Sequence, residues 1–138
     1  MNKVTIVTDS TAYLPAEIIE NYQIQVIPSS VIWDGESYLD GVDITTSQFY
    51  TRLEKSPSLP STSQPSAGEF KKCFSSLLES GNDVLAILIS AGISGIVNSA
   101  LQAQAELDRS RIEVIDSQTA AMASGLHVIA AARKAAEG

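Results

Sequence analysis

Short apolar runs of strand length alternate along the chain with stretches whose apolar residues recur at helical spacing. Val4-Thr5-Ile6-Val7-Thr8 is rich in β-branched residues and runs into Asp9-Ser10-Thr11, which predicts a first strand ending in a polar loop. After Pro15, the residues Ile18, Ile19 and Tyr22 lie at helical spacing, and residues 23–32 read as one apolar strand bent at Pro28. Residues 33–43 carry Gly35 and Gly41 among acids and predict an irregular, turn-rich connection. Thr45 or Thr46 then caps a short helix through Phe49, Tyr50 and Leu53.

Residues 56–66 have the Ser/Pro composition of a flexible tether. Their far end, however, is Ser66-Ala67-Gly68-Glu69, a capping-box spacing that opens a helix bearing Phe70, Phe74, Leu77 and Leu78, and three prolines stiffen the tract. An anchored loop is the expectation. Residues 83–89 form a continuous apolar run, followed by the loop Ser90-Ala91-Gly92-Ile93-Ser94-Gly95 and a helix with Val97, Ala100, Leu101 and Leu107 on its core face. The pattern recurs in a strand over 112–115, the polar exit Asp116-Ser117 and a small-residue helix over 120–136. Strands alternating with helices predict an α/β, Rossmann-like three-layer domain: a mainly parallel sheet, helices on both faces, and ligands at the carboxyl ends of the strands.

The hydroxyl clusters Asp9-Ser10-Thr11, Thr62-Ser63, Ser90 with Ser94, and Asp116-Ser117 all fall at such predicted ends, so they are expected to converge on one rim. Ser94-Gly95 stands where a helix begins, where backbone N–H groups and the helix dipole favour an anion; the plain alternative is that Ser94 only caps that helix. No G-x-G-x-x-G, no P-loop lysine and no Arg or Lys occurs in these four loops, which favours a monoanionic carboxylate over a dianionic phosphate. Composition sharpens this picture. The 138 residues, 44% of them hydrophobic, suit one domain with a real core. A net charge of -7 repels phosphate backbones and argues against nucleic acid as a partner. The single cysteine, Cys73, forms no internal disulfide and reads as a small packed thiol beside Phe74. No signal-peptide core follows Met1-Asn2-Lys3, so a cytoplasmic location is expected. The longest apolar run, residues 84–89, is far below the roughly 20 residues of a membrane span, so stable membrane insertion is not expected.

A serine-dependent hydrolase or transferase using Ser94 is the main rival to simple binding, but it requires a base and an orienting acid. The chain offers only His127, inside the last helix beside Leu126 and Val128, where a packed or half-exposed side chain away from the rim is expected. A third reading is a regulatory module for a small carboxylate, which would gain little from added methylenes at ~0.8 kcal/mol each. One His, one Cys and scattered acids show no metal-ligand spacing. Asp9, Asp40, Asp43 and Asp116 are the acids available to gather, and the plain role of Asp9 and Asp116 is loop hydrogen bonding. No cofactor or metal is expected.

Val7-Thr8-Asp9-Ser10-Thr11-Ala12, Asp40-Gly41-Val42-Asp43-Ile44, Thr62-Ser63-Gln64-Pro65-Ser66, Ile93-Ser94-Gly95 with Ser99-Ala100, and Val114-Ile115-Asp116-Ser117 follow one another along the chain. In that order, across nearly the whole sequence, they resemble the motif blocks of the DegV family. The Thr-Ser-Gln-Pro-Ser block followed by Ser94-Gly95 is the most specific part of the match. The resemblance implies a lipid-binding carrier and not an enzyme: the fatty-acid-binding subunit of a bacterial fatty acid kinase. Such a protein buries a long-chain fatty acid between an N-terminal and a C-terminal domain and presents its carboxylate to a separate kinase catalytic subunit. The acyl phosphate then feeds phospholipid synthesis. By position the resemblance puts carboxylate binding on Thr62 and Ser94, with Asp9, Ser10, Ser63, Gly95, Asp116 and Ser117 in the supporting loops. It also implies that residues 1–138 are the N-terminal α/β domain, the family's C-terminal domain being absent from this chain. Two departures change pocket shape and hydroxyl count. Ile96 and Val97 stand where the family usually has threonine and an aromatic residue, and Ala91 replaces the usual second serine of the loop.

Overall fold

Neighbouring residues of the first strand face opposite ways, and that alternation sets the layers. In a computed structural model, which describes residues 2–138, β1 (Val4–Asp9) sends Ile6 into a cluster with Ile24, Ile87 and Val128. Its next residue, Val7, enters a larger cluster with Phe70, Phe74, Leu88 and Ala100. A strand buried on both faces needs apolar residues at consecutive positions, which is why these segments read as unbroken runs. β6 (Asp83–Leu88) divides its residues the same way, Ala86 and Leu88 to one side and Ile87 to the other. With β2 (Gln25–Ile27) and β7 (Ile112–Asp116) they form a parallel sheet in the order β2-β1-β6-β7. Helices α1 (Ala16–Tyr22) and α5 (Ala121–Glu137) supply the first cluster, α3 (Ala67–Glu79) and α4 (Ile96–Ala105) the second. The architecture is thus mixed α/β, a parallel sheet flanked by helices, as the sequence predicts.

The single bent strand expected over residues 23–32 is not formed. β2 stops at Ile27, and β3 (Ser30–Trp33) belongs to a separate antiparallel sheet, β4-β3-β5, with β4 (Glu36–Leu39) and β5 (Ser61–Ser63). Pro28 has no N–H to continue a ladder, and the next amide, Ser29 N, donates to Ser10 Oγ at 3.1 Å. The connection expected to be irregular holds a hairpin: Trp33 pairs with Glu36 around Asp34 (φ 53) and Gly35 (φ 82). Two positive φ angles are what a tight hairpin of this hand requires, and Asp-Gly is its usual sequence.

Helix α2 (Thr46–Leu53) starts at the N-cap Thr45, whose hydroxyl accepts from Gln48 N while Gln48 Oε1 accepts from Thr45 N. The Ser/Pro tract is anchored and not a free tether. Trp33 Nε1 donates to Ser56 Oγ at 3.0 Å, Ser58 Oγ donates to Asp34, Pro65 is buried, and the Ser66/Glu69 capping box opens α3. Val31, Trp33 and Ile44, with Phe49 and Leu53 against them, are the small core of this region. On α4, Leu101 departs from its expected core position and is exposed.

Cys73 is half-buried against the larger cluster, and burial raises its thiol pKa. Because the thiolate is the reacting form, the native protein at neutral pH is expected to react with an aromatic disulfide reagent ~10-fold more slowly than the unfolded chain. Equal rates by stopped-flow absorbance would place this sulfur in solvent and contradict the packing.

Candidate functional site

The sheet order dictates where a ligand can lie. From β1 the chain crosses to β2 on one side, while β6 lies on the other. Loops leaving the carboxyl ends of β1 and β6 therefore diverge, and open parallel sheets bind ligands in the crevice between such loops. A cavity of about 430 Å³ is found there. Thr11 and Tyr13 line it from the loop after β1, and Ile89, Ile93, Ser94 and Gly95 from the loop after β6. The small sheet and α2 supply the facing wall through Val31, Phe49, Tyr50, Thr62, Ser63 and Gln64.

Polar groups behind the cavity fix the two loops. Asp9 is buried at the end of β1; one carboxylate oxygen accepts from Thr11 N at 2.9 Å and from the Thr11 hydroxyl, the other from Ile89 N at 2.9 Å. The same side chain thereby shapes the turn after β1 and the start of the loop after β6. From the far side, Asp116 Oδ1 accepts from Ala91 N at 3.2 Å, Ser90 N donates to Thr119 O at 2.9 Å, and Ser117 N donates to Leu88 O at 3.0 Å. The short 3-10 turn over Ser10–Ala12 is pressed against α5 at Gly125, where a Cβ would stand 2.8 Å from the Ala12 carbonyl oxygen.

The cavity lining combines polar and apolar groups. Thr62, Ser63 and Ser94 offer hydroxyls beside the first turn of α4, whose leading N–H groups lack helical partners. Ser94 Oγ accepts from one of them, Ile96 N, at 3.3 Å, so the hydroxyl proton is left to serve another acceptor. Val31, Phe49, Ile89, Ile93 and Ile96 add aliphatic and aromatic surface to the same lining. Asp40 is in the lining, and no lysine or arginine accompanies it among the described residues. Tyr13, Tyr50 and Ile93 stand exposed around the mouth. Partial burial of the phenol first, then the nearby Asp40, holds the Tyr13 pKa above its ordinary value. An arrangement of this kind suits an amphiphile with a small head accepting hydrogen bonds and an apolar body.

Of the residues that the sequence singles out, Thr62, Ser63, Ser94 and Gly95 line this cavity together. Two expectations need correction. Thr62 and Ser63 do not lie at the end of a parallel strand but on β5 of the antiparallel sheet, and they reach the cavity from its opposite wall. Nor do all four clusters meet at one rim. Asp9 and Ser10 line an adjoining hollow of about 330 Å³ that shares Tyr13, Asp40 and Thr46 with the first, while Asp116 and Ser117 act only behind the loop. His127 is exposed on α5 and not packed, and it stands outside the cavity lining and away from the rim, as expected. Of the family departures, Ile96 lines the cavity, Val97 is buried in the larger core, and Ala91 contributes its N–H to Asp116. The lining residues missed in sequence include Tyr13, Ser29, Thr46, Phe49, Tyr50 and Gln64. Thr46, Phe49 and Tyr50, one stripe of α2 at helical spacing, were the available signal.

Comparison with known proteins follows this geometry. The DegV family model, described as "Uncharacterised protein, DegV family", matches residues 3–138. A DegV domain-containing protein of Caldanaerobacter subterraneus is 43% identical over 138 residues, 100% of this chain and 49% of the relative. The structure of DegV from Bacillus subtilis, a fatty acid binding protein, superposes with a TM-score of 0.92 at 36% identity, covering 100% of this chain and 49% of that one. A stearic-acid-binding protein from Eubacterium ventriosum gives a TM-score of 0.89 at 35% identity over 100% of this chain and 48% of that one. The chain thus spans about half the length of the relatives it matches.

Proposed function

Because this chain belongs to the DegV family, we propose that it binds a long-chain fatty acid, holds the carboxylate with Thr62 and Ser94, and presents it to a fatty acid kinase catalytic subunit. The observation that carries this reading is the cavity at the sheet's switch point, whose lining joins the hydroxyls of Thr62, Ser63 and Ser94 and a helix start to the aliphatic and aromatic side chains of Val31, Phe49, Ile89, Ile93 and Ile96. A carboxylate of single charge is satisfied by two hydroxyl donors and backbone N–H groups. A phosphate dianion beside Asp40, without a cation, is not. In this reading the present chain forms the head-group lobe, and a second domain like that of its longer relatives closes the acyl tunnel over the exposed Tyr13, Tyr50 and Ile93. Among the described residues no helix is long and apolar enough to cross a membrane.

The carrier reading gives Ser94 the role of a donor and not of a nucleophile. Serine chemistry needs a base within hydrogen-bond reach, and the chain's one histidine, His127, lies outside the cavity lining. The test is native mass spectrometry followed by organic extraction of the protein purified from a bacterial host. Co-purified fatty acid is expected, with occupancy reduced about tenfold in Ser94→Ala, the equivalent of one charge-assisted hydrogen bond. A fluorophosphonate probe is expected to leave Ser94 unlabelled. Labelling of Ser94 would favour a hydrolase or transferase, and absence of lipid from both proteins would refute binding by this chain.

A further inference from the structure

Thr62 and Ser94 belong to different elements, β5 of the small sheet and the loop before α4. A carboxylate held between them requires their separation to be fixed, and Gln64 is the side chain that bridges those elements. It stands two residues beyond Thr62, lines the cavity, and donates from Nε2 to Ser99 Oγ at 3.1 Å, Ser99 being buried on α4. Its amide also lies flat on Gly95: a Cβ there would stand 2.5 Å from Gln64 Oε1, 2.7 Å from Nε2 and 3.0 Å from Cδ. Gly95 has φ -80, open to any residue, so glycine at this position provides room for the amide and not a special backbone angle. Immediately after Gln64, the buried Pro65 and the N-cap Ser66 fix the strand's exit, while the Gln64 side chain itself is exposed and is held by its seat on Gly95 and its bond to Ser99.

We propose that Gln64 is the positioning residue of the head-group site: its amide, seated on Gly95 and bonded to Ser99, sets the spacing between the Thr62 strand and the Ser94 turn. This inference rests on the carboxylate reading above and assigns to Gln64 no contact with the ligand.

Two readouts test it, one with lipid and one without. In the first, affinities for palmitic acid and for hexadecanol are compared by displacement of a fluorescent lipid. Gln64→Ala is expected to weaken the acid about tenfold and the alcohol less than about twofold, so that head-group preference collapses, whereas general loosening would weaken both alike. Gly95→Ala, which must displace the amide, is expected to act like Gln64→Ala, and adding it to Gln64→Ala is expected to cost little more, because neighbours acting through one contact are not additive. Ser99→Ala, which removes only the acceptor, guards against a misfolded Gln64 variant. In the second readout, amide NMR signals of Thr62, Ser94 and Gly95 are recorded without lipid, and all three are expected to shift in Gln64→Ala and in Ser99→Ala. Retained acid-over-alcohol preference or unmoved signals would overturn the inference. If the unsubstituted protein does not distinguish acid from alcohol, the carboxylate reading fails. The lipid-free signals then decide the role of Gln64 alone, joint movement supporting it and immobility overturning it.

Discussion

Asp9→Asn is expected to destabilise the protein by about 2–4 kcal/mol, and to do so from within the candidate site. A carboxylate offers acceptors at both oxygens, and all are used here: Thr11 N and the Thr11 hydroxyl on one, Ile89 N on the other. An asparagine fits the same space but turns an NH₂ group towards one of these donors, whichever way its amide is flipped. A buried N–H then faces another donor, at about 1–3 kcal/mol for the unsatisfied group, in addition to the hydrogen bond that is lost. Asp9 is only 1% exposed, so water cannot relieve the mismatch. Denaturant unfolding measures the total, and hydrogen exchange at Ile89 reports whether the loss is local. A change within about 0.5 kcal/mol would show that the carboxylate is not the anchor described above.

A second large effect is expected from Trp33→Ala, about 3–5 kcal/mol, the usual range for truncating a buried aromatic side chain. Trp33 has no exposed surface, its ring lies 5.3 Å from that of Phe49, the Arg52 guanidinium stands 4.6 Å above it, and Nε1 reaches Ser56. It therefore joins β3, α2 and the Ser/Pro tract, the three pieces that form the wall facing Ser94. The region's core is small, with Val31 and Ile44 as its other buried members. The loss is accordingly expected to concentrate there, with exchange over residues 30–63 accelerating more than in β1 and β6. Uniform acceleration across both sheets would mean that they unfold as one unit.

The central sheet was legible because a strand buried on both faces must be apolar at consecutive positions, and the stretches around Val4–Asp9 and Asp83–Leu88 have that signature. The switch of sheets at Pro28 was not, since the residues on either side are equally apolar and only the absent N–H marks the break. The Asp34-Gly35 hairpin carried its own signal and was overshadowed by the surrounding acids. Strand β5 is Ser-Thr-Ser, with no apolar residue to announce it; it exists because β3 offers a partner. That is why Thr62, which lines the cavity, was expected at the end of a parallel strand and not on the facing wall. Tyr13 was hidden by its position in a loop at φ 50, and Tyr50 by its place on a helix whose apolar stripe reads as core.

The pairing at the heart of the fold also governs how the molecule comes into being. β1 leaves the ribosome early, yet Asp9 finds Ile89 only across 80 residues of chain. Until that segment has been made, a β-branched strand with both faces apolar waits without its central neighbour, and the loop closure it needs is among the slow events of folding. The wall made by the loops after β1 and β6 depends on that event, so the cavity is completed late, and a nascent chain stalled before β6 would present β1 with one edge unpaired and prone to aggregation.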